Sequence, residues 1–278
     1  MYKDIIKYKQ YGECAILSND SIDIITSLEF GPRILSFSLK NHPNLLYEHP
    51  MNAPYLCSDK GWRVYGGLRL ALAPESENTF WPDNSPIEYE FLDDGILLER
   101  THDEFLNVSK KIRIRFLECQ NSVEISFEIE NLSDVPIVGA PWAITAVRPD
   151  GVLHVPFYNE EMSMSPRRFI SIWGNTNLAD KRLSFREKEI VIQHLPIDQY
   201  FKIGFNCSEG VSRYDVCGQS FTKNFKYDTN SIYPDNNVNF EVYCCRHMME
   251  IESLAATKTI PPKGKTLHSE LWTVSADV

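Results

Sequence analysis

The sequence lacks most of the features by which a function is read directly. There is no G-x-G-x-x-G and no Walker loop. Gly66-Gly67 runs into Leu68-Arg69 rather than into Lys-Ser or Lys-Thr, which removes the common phosphate cradles. There is no H-E-x-x-H, and the seven histidines, at positions 42, 49, 102, 154, 194, 247 and 268, have no metal-ligand spacing. No G-x-S-x-G elbow is present to carry a serine nucleophile. The seven cysteines are odd in number, irregular in spacing and never C-x-x-C, so reduced thiols are expected. Adjacent Cys244 and Cys245 are expected on opposite faces of a strand. No run of about 18 apolar residues exists to cross a membrane as a helix. The opening Met1-Tyr2-Lys3-Asp4-Ile5-Ile6-Lys7 is broken by charge before a secretory apolar region could form. There is no basic stripe: 28 Lys and Arg face 38 Asp and Glu, a net charge of −10. Such a chain repels phosphate backbones and anionic membrane surfaces. The expectation is a cytoplasmic protein with no nucleic-acid partner, no membrane partner, no metal and no cofactor.

Alternation is abundant. Val123, Ile125, Phe127 and Ile129 alternate with Glu124, Ser126, Glu128 and Glu130, and Ile112, Ile114 and Phe116 alternate with Lys111, Arg113 and Arg115. Period 2 puts one set on a core and the other in water. The link 117–122, containing Gln120-Asn121, makes these two runs a hairpin. Similar runs surround Ile22/Ile24, Ile87/Tyr89/Phe91, Ile190/Ile192, Phe240/Val242 and Met249/Ile251, with turns at Asn19-Asp20, Asp94-Gly95, Asp150-Gly151 and Pro262-Lys263-Gly264. No dozen-residue helical stripe is free of Gly or Pro, and the 16 prolines form no linker. Many short strands between turns predict an all-β sandwich or barrel, with residues 1–278 as one domain.

Four segments set polar groups or indoles among apolar neighbours. The first, 66–75, carries Arg69 and Glu75 behind a double glycine. The second, 80–86, places Trp81 beside Asp83 and Asn84; sugars suit an indole face flanked by planar polar groups. The third pairs Trp142 with Arg167, Arg168 and Trp173 further on. The fourth, at the C-terminal end, runs from Glu241-Val242-Tyr243 through Glu250 and Glu252 to Trp272. Glu250 and Glu252 share a strand face by the period-2 rule, and paired carboxylates raise each other's pKa, which suits acid–base work.

On these residues the chain resembles the galactose mutarotase-like (aldose 1-epimerase-like) superfamily, and within it a bacterial branch. The markers run in order: Phe30-Gly31-Pro32-Arg33-Ile34, Gly67-x-Arg69, Ala73-Pro74-Glu75, Pro82-Asp83-Asn84, Ala140-Pro141-Trp142-Ala143, Phe201-Lys202-Ile203-Gly204, Phe221-Thr222-Lys223, Tyr233-Pro234-Asp235, Glu250-Ile251-Glu252-Ser253-Leu254 and His268-x-Glu270-x-Trp272. The resemblance implies a large antiparallel β-supersandwich with a sugar cleft on a concave face. It also implies a mechanism, in which a carboxylate removes the anomeric hydroxyl proton, an acid protonates the ring oxygen, and the opened ring recloses as the other anomer. Glu252 falls where the family's C-terminal base would be, and Arg69 near its substrate-binding arginine.

One departure bears on the chemistry. The family's acid histidines sit in Asn-His-x-Tyr-Phe and His-Gly-Gly segments; here Pro141-Trp142-Ala143-Ile144 and Trp81-Pro82-Asp83 occupy those neighbourhoods. The acid role then passes to Lys202, Lys223, Glu75 or His247. The expected site has Glu252, Lys202 and Glu75 as catalytic groups. Arg69, Trp81, Asp83, Trp142, Arg167, Trp173, Lys223 and Glu250 bind a small-molecule carbohydrate, acidic or otherwise modified in view of the cations. A non-catalytic sugar-binding module and a polysaccharide-lyase-like domain are the other two readings.

Overall fold

The alternating runs become strands, and in the computed structural model, which describes residues 1–119, 121–158 and 164–276, strands make up 52% of the chain and helix 4%. Gln120, in the predicted hairpin link, lies outside the described residues. The flanking runs do pair: Val108–Phe116 lies antiparallel to Ser122–Asn131, from Phe116 opposite Val123 to Val108 opposite Asn131.

Two antiparallel sheets result. The first runs in the order Tyr2–Lys7, Glu13–Ser18, Ile22–Ser27, Arg33–Leu39, Leu68–Ala73, Ile137–Val147, Met249–Leu254, Phe240–Cys244, Phe201–Phe205, Ile170–Ile172, with Lys258–Ile260 pairing an end of Ile137–Val147. The second runs Leu183–Phe185, Glu189–Gln193, Val152–Pro156, Val211–Val216, Gln219–Phe225, Lys265–Ala276, Ser122–Asn131, Val108–Phe116, Gly95–Asp103, Glu88–Leu92. No described helix is long and apolar enough to cross a membrane.

The main core lies between the sheets. Ile34, Leu68, Leu70, Ala143, Val242 and Ile251 of the first sheet meet Ile112, Ile114, Ile125, Phe127, Phe221 and Trp272 of the second. Phe37 reaches across to Trp272 and Phe221, at centroid separations of 5.4 and 5.5 Å, and those two rings stand 4.9 Å apart. Such contacts add about 0.5–1.5 kcal/mol each beyond the area they bury. All seven cysteines are free thiols; Cys244 is buried and Cys245 only partly so, as alternation requires.

Alternation also decides what the first sheet shows on its other face. Along Met249–Leu254, Met249 and Ile251 enter the core, so Glu250, Glu252 and Leu254 face away from it. Along Ile137–Val147, Ala143 and Val147 enter the core, which leaves Trp142, Ile144 and Ala146 on the same outer face. Gly67, just before the neighbouring strand Leu68–Ala73, has φ +66, and a Cβ there would lie 2.0 Å from the Ile34 carbonyl oxygen. Only glycine lets the chain enter so close to the strand beside it.

Candidate active site

Register places the polar groups in rows across the first sheet. One row reads Arg33, Arg69, Ile144, Glu252, Glu241, Gly204, each directly opposite the next. The next row reads Ala146, Glu250, Tyr243, Lys202. Directly opposed residues project to the same side of a sheet, so these side chains crowd one face. Gly204 makes room: a Cβ there would meet Val238 Cγ2 at 2.8 Å and Glu241 Cγ at 3.4 Å.

Lys202 is the centre of the cluster. Its Nζ lies 2.9 Å from Glu241 Oε2, 3.1 Å from Glu75 Oε2 and 3.6 Å from Glu252 Oε2. It also sits over two indoles, 4.4 Å from the Trp142 ring and 4.9 Å from that of Trp173. Trp142 Nε1 donates to Glu252 Oε2 at 2.7 Å. Glu241 is fully buried, and the Lys202 contact, though close, is not aligned as a hydrogen bond, so neither Glu241 oxygen has an aligned donor among the described residues.

One ammonium among three carboxylates leaves excess negative charge in a place nearly without water. Burial pushes the Glu241 carboxyl well above the ordinary range, against the pull of Lys202. Burial raises Glu252 too, with Lys202 again opposing. Burial would lower the Lys202 ammonium, but Glu252, Glu241 and Glu75 outweigh it and its pKa is raised. Glu250 is pushed up to about 7, by burial first and then by the charge of Glu252, against Arg69 and Lys202. Neighbouring carboxyls with raised pKa values are the raw material of general acid–base catalysis.

Arg69 stands at the other side of Glu252. Its Nη1 donates to the Thr79 carbonyl at 3.1 Å, and its guanidinium lies 4.6 Å from the Trp62 ring. Burial, then the charge of Arg33, lowers its pKa. Arg33, only 2% exposed, is neutralised by Asp83, whose Oδ2 accepts from Nε at 3.1 Å and Nη2 at 2.8 Å. Asp83 therefore holds Arg33 in place. Trp81 flanks a small hollow shared with Arg69, Trp62 and Asp83, and stacks on Phe105 at 4.2 Å.

Two expected members lie elsewhere. Lys223 is on the second sheet and points into the core, fully buried, because it shares a strand face with the inward Phe221 and Phe225. There it pairs with Glu270 at 2.9 Å and donates to Thr145 Oγ1 at 2.8 Å and to the Ile251 carbonyl at 3.0 Å. Glu270 also accepts from Trp272 Nε1 at 2.6 Å, and Ser253 Oγ links it to His268. Arg167 is exposed, just before the edge strand, and its carbonyl accepts from Asn206 Nδ2 at 2.7 Å. Asn206 follows Phe201–Phe205 at the end remote from Lys202, roughly 13 Å along the strand at ~3.3 Å per residue. His247 is exposed and lines a different groove, with Arg148 and His194.

Glu241, Arg33 and Trp62 were absent from the expected site. Glu241 was legible, since period 2 from Phe240 and Val242 turns it to the outer face. Trp62 lies in a loop, where no period applies.

The face is closed. Glu252 is 1% exposed, and the hollow between Arg69, Glu250 and Trp62 is about 10 Å³, room for roughly one water. A roomier concavity, about 790 Å³, lies over the second sheet. Two of its lining charges are held by neighbours outside it, Arg113 by Asp94 at 3.0 Å and Glu128 by Lys265 at 2.7 Å. The clustered carboxyls with raised pKa values are on the first sheet.

An antiparallel two-sheet sandwich with a charged, indole-flanked outer face defines the class. No family model matches the sequence, and no curated protein matches it. Solved structures do. A galactose mutarotase-like protein from Lactobacillus casei superposes with a TM-score of 0.62 at 9% identity, over 94% of this chain and 100% of that one. A galactose mutarotase-like protein from Clostridium acetobutylicum gives 0.58 at 8% identity, over 99% and 98%. A TPR-domain containing protein from Parabacteroides distasonis gives 0.67 at 13% identity over 96% of this chain; the match spans 47% of that protein's length. The fold is galactose mutarotase-like.

Proposed function

We propose that the outer face of the first sheet binds a sugar and interconverts its anomers, with Glu252 as base and Glu250 as acid. The carrying observation is their placement: two adjacent carboxyls on one strand face, Glu252 beside Lys202 at 3.6 Å and under the Trp142 N–H, Glu250 raised to about 7. Glu252 takes the proton of the anomeric hydroxyl while Glu250 gives a proton to the ring oxygen. The bond from C1 to the ring oxygen breaks, the open-chain aldehyde turns about C1–C2, and the steps reverse to close the other anomer. Lys202, its pKa raised, keeps its proton and serves as counter-charge rather than acid. This assignment replaces the missing histidines with a second carboxyl. Glu252 is 1% exposed, so a sugar reaches it only when part of this face opens.

The test is exchange NMR between anomers of D-galactose and D-glucose with wild type and Glu252→Gln. The reading predicts exchange above the buffer rate and a loss of about 10²–10⁴-fold in the variant. Unchanged exchange in Glu252→Gln removes Glu252 as base. The sequestration of Glu252 by Lys202 and Trp142 favours one second reading, a sugar-binding module without turnover; saturable binding with no exchange supports it.

A further inference from the structure

The turn around residues 58–63 is built with unusual care for a loop. Ser58 N donates to the Trp62 carbonyl at 2.9 Å, Gly61 N to the Ser58 carbonyl at 2.9 Å, and Trp62 N to Ser58 Oγ at 3.2 Å. Ser58 Oγ in turn donates to the Phe80 carbonyl at 2.9 Å, and Asn84 Nδ2 to the Gly61 carbonyl at 3.0 Å. The result is an indole laid over the Arg69 guanidinium. Yet Trp62 Nε1 and Arg69 Nε are both buried with no hydrogen-bond partner among the described residues. Buried N–H groups are rarely left unpaired in folded proteins, and such a group calls for an acceptor. Both residues line the same small hollow, and Glu250 lines it too.

Charge narrows what the acceptor is. Of the cations near this face, Arg33 is neutralised by Asp83 and Lys202 by its carboxylates. Lys223 is paired with Glu270 behind the sheet. Arg69 is in no such ion pair among the described residues, and it shares the hollow with the Glu250 carboxyl. An anionic ligand group would bring only lone pairs to the Glu250 oxygens. A hydroxyl fits both sides, because its oxygen accepts from N–H groups while its proton is donated to the unprotonated oxygen of the Glu250 carboxyl, whose other oxygen keeps the proton destined for the ring oxygen.

Resting on the proposed sugar site, we infer that Trp62 is a specificity-determining residue: its indole N–H and Arg69 Nε receive one hydroxyl oxygen of the sugar, whose proton points to Glu250. The substrate class is then a neutral sugar, in place of the acidic one that the count of cations suggested.

The experiment is NMR of protein carrying ¹⁵N-labelled tryptophan indoles, titrated with D-galactose, D-glucose and D-glucuronate at pH 8. The Trp62 signal is the one missing from Trp62→Phe, which keeps a ring over Arg69 and removes the donor. A neutral sugar is expected to shift the Trp62 signal, and Trp62→Phe to weaken its binding about 5- to 30-fold. Glucuronate is expected to bind more weakly than glucose. If sugars shift other indoles but leave that of Trp62 in place, the inference fails while the proposed function stands. Glucuronate binding more tightly than glucose overturns the neutral-sugar assignment. No indole shift with any of the three sinks both. Should Trp62→Phe fold poorly, Arg69→Lys serves instead: wild-type affinity for the neutral sugars in that variant also overturns the inference.

Discussion

Replacing Glu250 by Gln is expected to stabilise the protein at alkaline pH and to leave it nearly unchanged at pH 5. The carboxyl goes from an ordinary 4.5 to about 7 on folding, pushed by burial and then by Glu252. The folded chain therefore holds this proton more tightly than the unfolded chain does. The sign follows: the contribution to stability is complete below about pH 4.5 and is lost as pH rises through about 7. At ~1.4 kcal/mol per pH unit, the full displacement corresponds to about 3 kcal/mol. Glu250 is partly exposed, so about 2–3 kcal/mol is expected between pH 5 and pH 8. Glutamine removes the titration at nearly constant shape. At ~2–4 °C per kcal/mol, the variant should melt about 5–10 °C above wild type at pH 8. The assay is thermal unfolding of both proteins at each pH, and the quantity that matters is how their difference changes with pH. A difference that is the same at pH 5 and pH 8, or a variant less stable than wild type at pH 8, would refute the reasoning.

Two further substitutions probe the charge network. Lys202→Met removes the cation shared by Glu75, Glu241 and Glu252, and about 3–5 kcal/mol is expected to be lost at neutral pH; urea titrations should show the loss shrinking towards pH 5, as Glu241 and Glu252, both with raised pKa, take up protons, and a pH-independent loss would contradict this. On the core side, Lys223→Met alone strands Glu270 and should cost about 3–5 kcal/mol, whereas Lys223→Met with Glu270→Leu should recover part of it; a double variant no better than the single one would show that the lost hydrogen bonds to Thr145, Ser253 and Trp272 outweigh the stranded charge.

The fold was legible because the strands announce themselves by period 2, and the same rule placed Glu250 and Glu252 on one face. The same rule puts Lys223 in the core, since it shares a strand face with Phe221 and Phe225, and puts Glu241 on the outer face. The pairing of Asp83 with Arg33 was not legible, because the partners are fifty residues apart and meet only through the loop that docks against the Phe30–Arg33 segment. Trp62 was not legible either: its position depends on a turn closed by Ser58 and Gly61 and on the packing of Arg69 beneath it. Periodicity locates a side chain on a face; partners brought by loops are set by tertiary contacts that no local pattern records.

The central claim is that two carboxyls, Glu250 and Glu252, transfer the protons of sugar anomer exchange on this face. The pH dependence of kcat/KM for exchange of D-galactose tests it most directly, because that ratio reports the ionisations of the free protein. The account predicts a rate that falls as pH rises through about 7, where Glu250 loses its proton, and an alkaline limb that disappears in Glu250→Gln along with most of the rate. Saturable galactose binding with no exchange above the buffer rate at any pH, or a profile unchanged by Glu250→Gln, would contradict it.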